Sequence, residues 1–334
     1  MPEVSSLFNG VQVGAEATTS PGTTVSASKL LNYINFQPTF WAGDFAVQRP
    51  MGQKVASGVA PGYDYTSWAL SSEVGSYSEI VYPLASLLKD VSPSTVETSG
   101  RLWTFKPTGR SEDVIRTFTV ETGSATRAQR APFVAVTGLE LTFNRSTGVT
   151  LSGTAIGQSI VDNVTLSGSP TAIEDAPILP THLDVYVDST SANIGSTKLT
   201  RDFNAVFRYN DARAAVWAIN SANASYVNLV ETAPTAQIEL TVEADSQGMG
   251  FLPLARAGTM QYIRLSAVST VAAGAAGAKY QLVIDAAAKC TAIAGPDDTE
   301  GIKTVQYTWD LMYDSAWSSG QYLTIGAQNK VASL

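Results

Sequence analysis

Two alternating runs near the C-terminus dominate the pattern of apolar and polar positions. From Ile302 to Asp314, Val305, Tyr307, Trp309, Leu311 and Tyr313 fall on one side. Thr304, Gln306, Thr308 and Asp310 fall on the other, and Lys303 breaks the apolar series at its start. Strand side chains alternate between two faces, so the run predicts a long strand with one apolar face. From Gln281 to Cys290, Leu282, Ile284, Ala286 and Ala288 alternate with Gln281, Asp285 and Lys289. Gly295-Pro296-Asp297-Asp298-Thr299-Glu300-Gly301 lies between the runs and carries turn chemistry. The reading is a β-hairpin against which the rest of the chain packs.

Earlier in the chain the pattern is weaker. Residues 10–24 are small and polar, with Pro21-Gly22, and read as an arm or loop. Residues 30–40 read as a first strand, with Ile34 and Phe36 on one face. Residues 48–65 form a loop rich in Gly and Pro, and residues 66–74 a strand. Residues 76–89 read as a helix with a stripe of Ile80, Leu84, Leu87 and Leu88. Ser76 and Glu79 match a capping box, and Pro83 shortens or kinks the helix. Strands follow at 102–106, 115–121, 133–144 and 149–156, the last two joined by Ser146-Thr147-Gly148 as a second hairpin.

The C-terminal half repeats this plan. Laid without gaps over residues 66–85, residues 236–255 keep the order of elements. Leu70 meets Leu240, Glu73 meets Glu243, and Pro83-Leu84-Ala85 meets Pro253-Leu254-Ala255. A strand, a short Pro-containing helix, more strands and a closing hairpin occur twice, which favours tandem duplication. Residues 157–180 are a polar connector between the halves.

Composition narrows the function classes. Only 15 % of residues are charged, against about a quarter in ordinary domains, and 44 % are hydrophobic. A surface so poor in charge suits wide contacts with other proteins. The net charge of −8 argues against tight nucleic-acid binding, which needs clustered Lys and Arg. One cysteine, Cys290, excludes an intrachain disulfide and a Cys-based zinc site. No apolar run is long enough to span a bilayer, and residues 1–13 carry no signal-peptide pattern.

No catalytic constellation is legible. The single histidine, His182, lies in a connector, and no Gly-x-Ser-x-Gly elbow accompanies it. Cys290 lacks a base to activate it. Asp297, Asp298 and Glu300 do not match a calcium loop and read as a solvated turn. Residues 274–279 lack the ending of a phosphate loop. The sequence therefore predicts no enzyme, cofactor or metal. The six tryptophans, at 41, 68, 103, 217, 309 and 317, read as core or interface anchors.

Both ends of the chain resemble one family. Val11-Gln12-Val13-Gly14-Ala15-Glu16-Ala17-Thr18 followed by Pro21-Gly22-Thr23 resembles the start of the tail tube proteins of long-tailed bacteriophages. Gly301-Ile302-Lys303-Thr304-Val305-Gln306-Tyr307-Thr308-Trp309, running into Tyr313-Asp314-Ser315-Ala316-Trp317, resembles the family's last strand and tail. Arg256-Ala257-Gly258-Thr259 with Tyr262-Ile263-Arg264 is similar to it as well.

The resemblance implies a mainly β fold, a tail-tube β-sandwich or barrel with short helices, in two tandem copies. Its expected organisation is an N-terminal arm at 1–29, tube-like β domains at 30–157 and 181–325, a connector at 158–180 and a tail at 326–334. It implies stacked rings in a virion tail, assembled in the host cytoplasm, with genome DNA passing through the lumen without specific binding. Two domains per chain imply trimeric rings of pseudo-sixfold symmetry; one would give hexamers. The implied partners are other copies of the chain, tape measure, tail tip and terminator, with no membrane. Expected subunit contacts are Val11, Val13, Glu16 and Pro21 in the arm, Met51, Val59 and Tyr63 in the loop, and Tyr313 and Trp317 in the tail. A tail terminator, fibre or capsid decoration protein, or a carbohydrate-binding adhesive β-sandwich, are the alternatives.

Overall fold

A computed structural model describes residues 10–39, 42–219, 224–275, 277–299 and 301–334. Strand accounts for 51 % of the chain and helix for 8 %, so the core is built by sheets and the helices only plug it. Among the described residues, most strands join one barrel-like hydrogen-bonded system. Two long strands organise it: Ala128–Asn144, of 17 residues, and Lys279–Thr299, of 21.

Each long strand changes neighbours along its length. The start of Ala128–Asn144 pairs with Phe118–Gly123 on one edge and Val161–Val164 on the other. The same strand pairs with Gly148–Gly157 from Ala135 onward and with Asp202–Asn210 from Leu139 onward. The change falls at Pro132-Phe133, where the register with Phe118–Gly123 shifts. Pro132 has no N–H to give a ladder, and Phe133 takes φ 55°. Two buried groups hold Phe133 there: its N–H donates to the Glu16 carboxylate at 2.8 Å, and its carbonyl accepts from the Tyr226 hydroxyl at 2.5 Å.

Lys279–Thr299 behaves in the same way. Gln261–Ala272 flanks its first part on one edge. On the other edge Leu323–Asn329 and then Ile302–Leu311 run alongside it. The Val305, Tyr307, Trp309 face is buried as the alternation predicts. The expected turn at 295–301 is mostly strand. Pairing continues to Thr299 opposite Ile302, and the Gly-Pro-Asp segment is absorbed as a register shift between Ala294 and Asp297.

The pairings form two rows with one order. The first runs Asn35–Thr39, Thr66–Ser72, Gly148–Gly157, Ala128–Asn144, Phe118–Gly123, Gly10–Ala15. The second runs Asp202–Asn210, Thr235–Glu243, Ile302–Leu311, Lys279–Thr299, Gln261–Ala272, Leu183–Asp188. A helix follows the second strand of each row, Val81–Leu87 in one and Ser246–Arg256 in the other. Leu70 and Leu240 sit at matching positions, opposite Phe36 and Ala205.

Several expectations need correction. The segment at 10–24 is not a loose arm: Gly10–Ala15 is a buried strand between Lys29–Leu31 and Phe118–Gly123. The single strand expected at 30–40 is two, Lys29–Leu31 and Asn35–Thr39, and Phe40 lies outside the described residues. The tail is not free either, since Leu323–Asn329 pairs with Arg101–Phe105 and the Trp103 indole N–H donates to the Val331 carbonyl. One apolar cluster runs through both halves, from Val13 to Ala327, so the halves share a core.

The helix expected at 76–89 is shorter, because the residues before it make a different set of bonds. Ser76 Oγ accepts from the N–H groups of Ser78 and Glu79. Glu79 does not reach back to complete a capping box. Its carboxylate accepts from the N–H groups of Asn32, Tyr33 and Ile34, fixing the bend that leads into Asn35–Thr39. Burial pushes this carboxyl above its ordinary value, although the three N–H donors pull the other way. Glu79→Gln puts an NH₂ among donors. It should destabilise the fold by about 1–3 kcal/mol, read as a lower denaturant midpoint.

Candidate assembly surfaces

The central strands of the two rows present one continuous polar face, because each strand turns alternate residues away from the core. Glu140 lies opposite Arg208, and Arg208 opposite Gln237. Arg208 bridges the Glu140 carboxylate at 2.6 Å and also the Glu239 carboxylate. Gln306 donates to Glu239 at 3.3 Å and Gln237 to Asp310 at 2.8 Å. Ser152, Thr154 and Thr308 fill the gaps. Two carboxylates hold one guanidinium, and a third, Asp310, lies opposite Lys289 at the margin. The face is polar and neutral to acidic.

Two edges of the rows differ from the rest. Among the described residues, Asn35–Thr39 is paired only with Thr66–Ser72, and residues 289–299 only with Ile302–Leu311. Residues 291–298 are all exposed. Their counterparts on the other long strand carry Asp202–Asn210, and none of them is exposed. Between Phe45–Gln48 and Gly58–Pro61 a small hairpin stands out from the body, where a plain loop was expected. Its exposed apolar residues include Val47, Val55 and Val59.

The nine expected contact residues divide into two groups. Pro21, Met51, Val59, Tyr63 and Tyr313 are exposed, Met51 fully. Tyr63 also stacks on Trp217 at 4.3 Å, and Arg110 lies over the Tyr313 ring at 4.8 Å. Val11, Val13, Glu16 and Trp317 are buried within their own chain, which removes them from the surface. Val11 and Val13 join the main core, and Trp317 packs edge-on against Tyr262. Glu16 has become a hub: Gly22 N–H, the hydroxyls of Thr117 and Thr119, and Phe133 N–H all donate to it.

The side chains weighed for chemistry have structural surroundings. His182 is buried, its Nδ1 3.0 Å from the Tyr77 hydroxyl and accepting from Leu179 N–H, and burial lowers its pKa. Burial raises the Cys290 thiol, the opposite of what a nucleophile needs. Asp298 accepts from Gly301 N–H at 2.7 Å and so closes the hairpin end; Glu300 lies outside the described residues, as does Trp41. Among the described residues no group of three His, Cys, Asp or Glu side chains could hold a metal ion, and no helix is long and apolar enough to cross a membrane. No protein-family model matches the sequence, and no curated protein does.

Proposed function

We propose that this chain is a tail tube protein of a long-tailed bacteriophage, with two tube units in tandem, and that its rings stack into the conduit for genome DNA. One observation carries the reading: the same six-strand order occurs twice, and the two rows are joined edge to edge by the pairing of residues 139–144 with 204–209. A joint of that kind lets the sheet continue from unit to unit, and three copies would supply six units to one ring.

The polar face supports the same reading. Carried around a ring, a neutral-to-acidic surface would line a lumen that lets phosphates slide past without holding them. Tape measure, tail tip and terminator proteins are the partners this role requires, and the virion tail is its place, after assembly in the host cytoplasm. Negative-stain microscopy of the concentrated protein should show annular particles or tubes with a central hole. Only solid, hole-free particles at every concentration would contradict the proposal.

A further inference from the structure

The joint inside the chain has an unfilled counterpart. The hairpin end bearing Phe143 and Arg145 lies in a groove with Leu183, Val185, Leu199 and Asp202, and Phe143 is buried there. The first row has the corresponding groove beside Asn35–Thr39, with a volume of ≈ 680 Å³; in the second row ≈ 400 Å³ stays open beside the hairpin end. Val11 occupies the place of Val185, on a strand that borders the row in the same way. Leu31 and Tyr33 stand where Thr200 and Asp202 stand in the other row. Meanwhile the strand that leads to the second hairpin end is exposed along residues 291–298.

We propose that the hairpin end formed by residues 297–299 and 301–303 of one copy seats in the Asn35–Thr39 groove of a second copy. The free edge of 289–299 then pairs antiparallel with Asn35–Thr39, as 139–144 pairs with 204–209 within the chain. The proposal rests on the tube reading, which supplies the second copy. It makes the interface head-to-tail, so that it closes into a ring if the rotation between copies allows.

Charge separates the two joints. Arg145 on the inner hairpin end meets a groove with Asp202 and with Asp184, the latter paired with Lys198. Burial raises the Asp202 pKa, and Lys198 and Arg145 partly oppose that rise. The outer end carries Asp297 and Asp298, and the open groove has Arg127, which is ion-paired with Asp162, as its one charged lining residue. An acidic end meets two carboxylates in the one groove and none among the lining residues of the other, which favours the open groove. Asn35–Thr39 is shorter than Asp202–Asn210, and its Pro38 has no N–H to donate. The joint between chains is accordingly weaker than the joint within one.

The register is specific enough to test by cross-linking. Glu140 opposes Arg208 in the inner joint. Ala294 holds the place of Glu140, through its pairing with Gln306, and Thr39 the place of Arg208, through its pairing with Ser67. Directly opposed residues of antiparallel strands have Cα atoms about 4.5–5.5 Å apart, within disulfide reach. In a Cys290→Ser background, chains carrying Thr39→Cys and chains carrying Ala294→Cys are mixed and oxidised. A disulfide-linked dimer is expected, and a chain bearing both substitutions should give a covalent series ending at three copies. Glu140→Cys with Arg208→Cys is the internal control and should cross-link within one chain. Rings without the 39–294 bond, while the control bond forms, would overturn this interface and leave the tube reading standing. No rings and no cross-link at any concentration would overturn both.

Discussion

Glu16→Ala is expected to cost roughly 3–5 kcal/mol of stability, among the largest losses a single substitution produces. The carboxylate is wholly buried and accepts four hydrogen bonds of 2.8–2.9 Å, from Gly22 N–H, Thr117 Oγ1, Thr119 Oγ1 and Phe133 N–H. Alanine leaves all four donors in a space closed to water, and each unsatisfied buried donor costs about 1–3 kcal/mol before the hydroxyls rotate to other partners. The loss falls on the residue that turns the long strand from one set of neighbours to the other. Equilibrium urea unfolding checks the size, and hydrogen exchange at the Phe133 amide checks the place. A shift below about 1 kcal/mol, with Phe133 still protected, would mean that Glu16 is not the hub of this region.

Trp309→Ala should cost a similar ~3–5 kcal/mol, by a different route. Trp309 is wholly buried on the second hairpin, between Ile238 on one side and Cys290 on the other. Phe251 of the helix Ser246–Arg256 packs edge-on against it at 6.1 Å, and against Tyr307 at 5.8 Å. Truncation opens a cavity under that helix and removes the contact that holds it to the sheet. Among the described residues the Trp309 indole N–H has no hydrogen-bond partner, so Trp309→Phe should lose much less than the alanine variant. Thermal unfolding of the two variants side by side decides the matter. Equal losses would show that the site does not depend on filled volume.

The parts of the fold legible in the sequence are those decided by local pattern. Val305, Tyr307 and Trp309 alternate with polar residues over a run long enough to leave one period possible. In the segments aligned at 66–85 and 236–255, Leu70 and Leu240 serve matching strand positions. Pro83, by contrast, lies near the start of its helix and Pro253 near the end of its own. The strand Gly10–Ala15 was not legible: its residues are small, and its partner Phe118–Gly123 lies about a hundred residues away. The Gly-Pro-Asp segment misleads for the same reason. Turn residues sit inside a strand there because pairing with Ile302–Leu311 holds them.

The candidate surfaces were legible only in part. Exposed Met51, Val59 and Tyr63 follow from a long Gly- and Pro-rich segment. The sequence places Glu16 among the subunit contacts, because nothing local separates a buried hub from a solvated carboxylate. The network around Arg208 depends on registers among strands far apart in sequence, and the open groove beside Asn35–Thr39 is visible only against its filled counterpart.

The copy number of the isolated ring tests the central claim most directly. Native mass spectrometry of annular particles should give three chains, a mass three times 35.2 kDa, with six density lobes around the hole in class averages. A ring of six chains would contradict two tube units per chain, and so would a three-chain ring with only three lobes.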